Sequence, residues 1–201
     1  MNKRQEQKLA TRKKLVEAAR EAYMNEGFLG ATTAQIAKSC GVAHGTLFVH
    51  FPTSDLLMME VLDAEMAQLS DELARAVAET DDTLELLARY LDFLATHEPF
   101  FAVLARETPF YQPELRRKVL FRQSAVQAYF HRALSDDMTE GRLPQCDANL
   151  IVQTVFGQLQ YYLSMRDVFV DEGSVVERFR DRILSLARTL MHHCGKGGDH
   201  A

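Results

Sequence analysis

Apolar residues recur three and four apart along most of the chain, and nowhere do they alternate over the length of a strand. From about Leu9 to Asn25 the helical face is Leu15, Ala18, Ala19, Ala22 and Tyr23, and Gly27 ends it. After Pro52 a longer stripe runs through Leu56, Leu57, Val61, Leu62, Met66, Leu69, Leu73 and Val77. Further helices are predicted from Thr83 to about His97, from Pro99 to Glu107, from Pro113 to about Ser135, from Asp147 to about Phe169, and from Ser174 to about His192. With two short helices before Pro52, the expected fold is all-α, with about nine helices.

The two short helices lie between Thr32 and Phe51. Thr32 or Thr33 supplies a capping hydroxyl, and Ile36, Ala37 and Cys40 form one apolar stripe. Gly41 stands where a helix must stop and the backbone must turn left-handed. Val42 follows, and a second helix starts near Ala43 with Leu47, Phe48 and Phe51 available to pack. A helix, a glycine turn and a short second helix form a helix-turn-helix, whose second helix enters a DNA major groove.

Charge sharpens this picture. The net charge of −5 is unusual for a DNA binder, but residues 1–50 hold eight Lys/Arg against four Asp/Glu, a balance of +4. The remaining fifteen Lys/Arg and twenty-four Asp/Glu give −9, so only the first quarter is suited to phosphate. Cys40, Cys146 and Cys194 are odd in number and far apart, as expected in a reducing cytoplasm. No apolar run has the length of a membrane span, and the polar start has no signal-peptide core. The expected divisions are a DNA-binding domain at 1–53 with a basic arm, a helical ligand-binding and dimerisation domain at 54–194, and a flexible tail at 195–201.

The residues from about Leu9 to Leu62 resemble the DNA-binding domain of the TetR family of transcriptional regulators. The resemblance is carried by Phe28, Ala31-Thr32-Thr33, Ile36-Ala37, Gly41-Val42, Gly45-Thr46-Leu47-Phe48, His50-Phe51-Pro52 and Asp55-Leu56-Leu57. It implies that Thr33 meets a phosphate at a helix N-terminus and that His44, Gly45 and Thr46 sit near base edges and phosphates. Phe48 stands where the family usually has Tyr, keeping an apolar face for a thymine methyl; Val49 offers apolar contact and His50 a phosphate bond. Ser54 replaces a frequent Lys, a loss that Lys3, Arg4 and Arg12 could offset. The implied protein is a cytoplasmic, homodimeric repressor that binds a double-stranded palindromic operator and leaves it when a small effector binds.

Nine of the twelve Phe and six Tyr lie between Tyr90 and Phe130, either as packed core or as a pocket for an apolar or aromatic effector. Candidate lining residues are Met59, Met66, Phe93, His97, Phe101, Phe110, Phe121, Tyr129, Gln158 and Tyr162. The last two long helices carry Ile151, Val155 and Leu159, and Phe179, Ile183, Leu186 and Leu190. These stripes either cover the core or form a dimer seam that holds two recognition helices about 34–36 Å apart. His192-His193-Cys194 reads as a helix end, no His has Glu three residues before it, and no nucleotide or hydrolase motif occurs. No metal or cofactor is therefore expected, and the alternative is an all-α enzyme acting on a hydrophobic small molecule.

Overall fold

The computed structural model describes residues 3–193, and among these the chain forms ten α-helices, one 3-10 turn and no strand. The helices are α1 (Lys3–Glu26), α2 (Thr33–Ser39), α3 (His44–His50), α4 (Ser54–Glu79), α5 (Thr83–Thr96), α6 (Glu98–Glu107), α7 (Pro113–Thr139), α8 (Ala148–Ser164), α9 (Arg166–Phe169) and α10 (Val175–His193), with the 3-10 turn at Thr108–Phe110. Two expectations are corrected. The basic arm is helical from Lys3, because α1 runs through it without a break. The helix expected from Asp147 to Phe169 stops at Ser164, and one separate turn follows. The expected tail at 195–201 and Cys194 lie outside the described residues.

The chain divides into two compact units. One holds the chain up to Met66 together with Glu107–Val119; the other holds Ala67–Arg106 with the chain from Leu120 onward. The first unit thus extends past the expected boundary at 53 and takes in a segment from much later in the sequence.

In the first unit, Leu15, Ala19 and Tyr23 are buried at four-residue spacing along α1, against a core that includes Ile36, Ala37, Leu47, Phe51, Leu57 and Leu62. In the second, α10 packs against α5 and α8. The aromatic band there is largely core. Tyr90, Phe130 and Phe156 meet one another with ring centroids 5.2–5.4 Å apart, and the crevice beside them, lined by residues such as Leu87, Ile151 and Met191, has a volume of only about 10 Å³.

Buried acids tie distant elements together, each met by an arginine. Glu65 on α4 pairs with Arg20 on α1, and Asp137 on α7 pairs with Arg142 and accepts from Thr83. Glu98, only 2% exposed, accepts from Arg166 Nε at 2.8 Å, from the Ser174 hydroxyl, and from the amides of Val175 and Val176 at 3.0 and 3.1 Å. It therefore closes the N-terminus of α10, where free N–H groups and the helix dipole favour an anion. The pull on Arg166, which also donates to the Gly173 carbonyl at 2.8 Å, gives a physical reason for the break between α8 and α9.

Replacing Glu98 by Ala removes a buried partner of Arg166 and leaves two buried helix amides without their acceptor. Such a truncation costs about 3–5 kcal/mol, so the E98A protein should unfold at a clearly lower urea concentration than wild type. An unchanged midpoint would show that the network contributes nothing.

Candidate nucleic-acid interface

The helix-turn-helix is built by local chemistry. Thr32 caps α2, and Gln35 completes a capping box by reaching back to the Thr32 amide. At the other end Gly41 takes φ +68°, Val42 N–H donates to the Ala37 carbonyl at 3.1 Å, and Gly41 N–H to that of Lys38 at 3.0 Å. This pair of bonds is a Schellman motif, which satisfies the last carbonyls of α2 and sets the angle to α3. Ala43 precedes α3 without a side-chain cap, and Leu47, fully buried, pins the helix to the core.

With Leu47 inward, α3 turns His44, Gly45, Phe48 and Val49 to solvent, while Thr46 and His50 are half-buried. Phe48 is 40% exposed and Val49 71%. His44 is held in place: its Nε2 lies 2.9 Å from Thr33 Oγ1, and its ring meets that of Phe48 edge-on at 5.0 Å. The Thr33 hydroxyl expected to meet phosphate is thus already engaged with the recognition helix. Thr53 Oγ1 accepts from the Leu56 amide at 3.2 Å and caps α4, which leaves Ser54 exposed as its first residue.

The expected cations divide into two roles. Lys3 and Arg4 are exposed on α1, as is Lys8. Arg12 instead is committed to partners within the chain. Its Nη1 donates to the His50 carbonyl at 2.8 Å, its Nη2 lies 2.8 Å from Glu60 Oε2, and its guanidinium sits 4.1 Å above the Phe51 ring. Those contacts clamp the C-terminus of α3 to α1 and α4. Beside the clamp a groove of about 470 Å³ is lined by Gln5, Lys8, Leu9, Arg12, Val49 and His50. His50 Nδ1 is buried there without a hydrogen-bond partner, and burial, then Lys8 and Arg12, push the imidazole pKa below its usual value.

One contributor to this unit carries no signal in the sequence. Glu107, at the end of α6, accepts from the Leu29 amide at 3.0 Å, and Tyr111 meets Phe28 edge-on at 6.2 Å. Gly27 takes φ +82°, and a Cβ there would fall 2.1 Å from Glu107 Oε1. The glycine that ends α1 is therefore needed twice, for the turn and for the approach of this carboxylate.

The other expected sites fare differently. Phe93 stacks on His97 at 4.1 Å and meets Phe101 edge-on at 6.3 Å, so these three come together. Tyr162 belongs to another cluster, stacked on Phe179 at 4.1 Å. Tyr129 and Gln158 are half-buried in the second unit, whereas Met59 and Met66 belong to the first. Phe110 and Phe121, at 73% and 68% exposed, stand largely in solvent. Of the residues expected in a dimer seam, Ile151, Val155, Leu159 and Ile183 are at most 3% exposed and fill the core of their own unit. Leu186 and Leu190 are half-buried. Among the described residues no group of three or more His, Cys, Asp or Glu is placed to hold a metal ion, and no helix is long and apolar enough to cross a membrane.

Two outcomes follow for the free protein. Arg12→Gln and Glu60→Gln should each lower stability, by about 1 kcal/mol for a part-exposed pair, and the double variant should lose less than the sum; full additivity in urea titrations would mean that the clamp is not a pair. Because the folded state disfavours protonated His50, the unfolded chain binds more protons as pH falls below about 6.5, and stability drops through the folded pKa. His50→Gln should flatten that part of the wild-type curve of thermal midpoint against pH, and identical curves would contradict it.

A family model described as bacterial regulatory proteins of the tetR family matches residues 15–61, which are α1 from its buried face through the helix-turn-helix to mid-α4. The HTH-type transcriptional regulator SrpR of Pseudomonas putida is 32% identical over 162 residues, 73% of this chain and 68% of that one. Among solved structures, the transcriptional regulator FadR of Bacillus subtilis, in complex with stearoyl-CoA, superposes with a TM-score of 0.78 at 21% identity, covering 89% of this chain and 98% of FadR. AibR, in complex with isovaleryl coenzyme A and operator DNA, gives 0.68 at 16% identity, covering 88% and 97%. The two structural likenesses establish the fold, and SrpR, with the family model, establishes the kinship. A chain whose helix-turn-helix and flanking helices match in this way belongs to the TetR family of transcriptional regulators, and its relatives are regulators rather than enzymes.

Proposed function

We propose that this protein is a repressor that binds a palindromic operator as a homodimer in the cytoplasm and releases it when an acyl thioester or similar apolar effector binds. The observation that carries the reading is the outward face of α3: a recognition helix anchored by Leu47, with His44, Gly45, Phe48 and Val49 free to enter a groove. Release would work by differential affinity, the effector preferring a state that no longer fits the operator. The effector class is supported by the acyl-CoA complexes of FadR and AibR.

Self-association is supported by a surface other than the expected one. On α8, Leu150 and Tyr161 are 49% and 50% exposed, and Gly157 lies between them on the same face with nothing within 4 Å of its Cβ position. Just beyond α8, Met165 and Val168 are 46% and 77% exposed. A glycine in a helix interior costs about 1 kcal/mol, and a second copy of the helix approaching it closely would offset that cost.

Duplexes from the region upstream of the protein's own gene should shift in mobility assays, with affinity falling at least about tenfold between 50 and 200 mM salt. Stearoyl-CoA or isovaleryl-CoA should restore free DNA; specific binding that neither ligand disturbs would remove the acyl thioester from the proposal. Gly157→Arg fills space that is open within one chain, so it should leave the circular dichroism unchanged while sedimentation moves from dimer to monomer. A dimeric G157R protein would place the seam elsewhere.

A further inference from the structure

The sequence on the recognition helix also specifies what it reads. Resting on the operator-binding reading above, we infer that Val49, with Phe48 beside it, recognises the 5-methyl groups of thymines in each half-site, and that this contact determines operator specificity. Of the four α3 residues turned outward, His44 alone among these described residues is polar, and its Nε2 is engaged by Thr33 Oγ1 at 2.9 Å. That leaves Nδ1 as its ring atom for a base edge. No Arg, Lys, Asn or Gln stands on this face to make the paired bonds by which guanine or adenine is read. Gly45 brings backbone close without a side chain. What remains is apolar: Val49 at 71% exposure and Phe48 at 40%. The thymine methyl is the apolar feature that the major groove presents.

The two side chains are also fixed in advance. Phe48 is held by its edge contact with the His44 ring at 5.0 Å. Val49 is β-branched, so its χ1 is restricted on a helix and its methyls stand in a set direction. Leu9 of α1, 54% exposed and lining the same groove as Val49, extends the apolar surface beyond the end of α3. Among the described residues nothing covers these groups, whereas a thymine-rich major groove would.

The test uses duplexes that the full-length wild-type protein selects from a randomised pool, resynthesised with deoxyuridine in place of every thymidine. This removes the methyls and leaves each base pair's hydrogen bonds in place. Wild type should bind the deoxyuridine duplex more weakly by about fourfold for each methyl contacted, the effect of burying about one CH₂. Val49→Ala should bind the thymidine duplex more weakly and discriminate less between the two, with an unchanged thermal midpoint because the position is exposed; Phe48→Ala should show the same trend. Equal binding of both duplexes by wild type, or full discrimination retained by Val49→Ala, would overturn the inference while leaving operator binding intact. A pool from which no sequence is enriched would overturn the regulator reading itself, and this inference with it.

Discussion

A seven-residue helix does not persist in water, because the cost of nucleating a helix is not recovered over so few hydrogen bonds. The recognition helix α3 has that length, and Ala43 gives it no capping side chain. Its existence depends on tertiary constraint applied from three directions. Leu47 and Phe51 are buried beneath it, the Gly41 turn delivers it at a fixed angle, and Arg12 grips its last carbonyl while resting on Phe51. The outward face of α3 is positioned by those contacts. The same logic explains why a cation near the recognition surface is turned inward: a guanidinium with planar donors and a face suited to an aromatic ring can clamp three elements at once.

What was legible in the sequence is what local chemistry decides. The cap at Thr32, the left-handed Gly41 and the buried Leu47 follow from residues within a few positions of one another. The role of Arg12 was not legible, since its partners stand 38 and 48 residues away. Nor was the recruitment of Glu107–Val119 to the DNA-binding unit, which rests on Glu107 and Tyr111 meeting the turn after α1. The break after Ser164 belongs to the same class: periodicity runs on through Phe169, but Arg166 answers to Glu98, 68 residues earlier. Ion pairs between remote elements leave no period in a sequence.

The remaining discrepancies share a different cause. A helical stripe of apolar residues says that one face avoids water, but not whether its cover is the same chain, a second chain or a ligand. On α8 the regular stripe Ile151, Val155 and Leu159 is internal, and the sparser outward set of Leu150, Gly157 and Tyr161 is the uncovered one. In the aromatic band Tyr90 and Phe130 pack while Phe110 and Phe121 stand in solvent, although all four have equal claims by composition. A single interior glycine with empty space around it discriminates better than hydrophobicity, because its cost must be met by something close.

These two features meet in the way the protein approaches DNA. With a net charge of −5 it is repelled by a polyanion as a whole, and the attraction comes from the basic surplus of its first fifty residues. Arg12 and Arg20, two of those cations, are paired with Glu60 and Glu65. Fewer exposed cations release fewer counterions, so sequence-independent binding is weakened and its dependence on salt is shallow. Apolar contact with base edges carries no such dependence. The proposed contact of Phe48 and Val49 with base edges would shift the balance from phosphate attraction toward shape and methyl contact, raising the share of the binding energy that differs between one sequence and another.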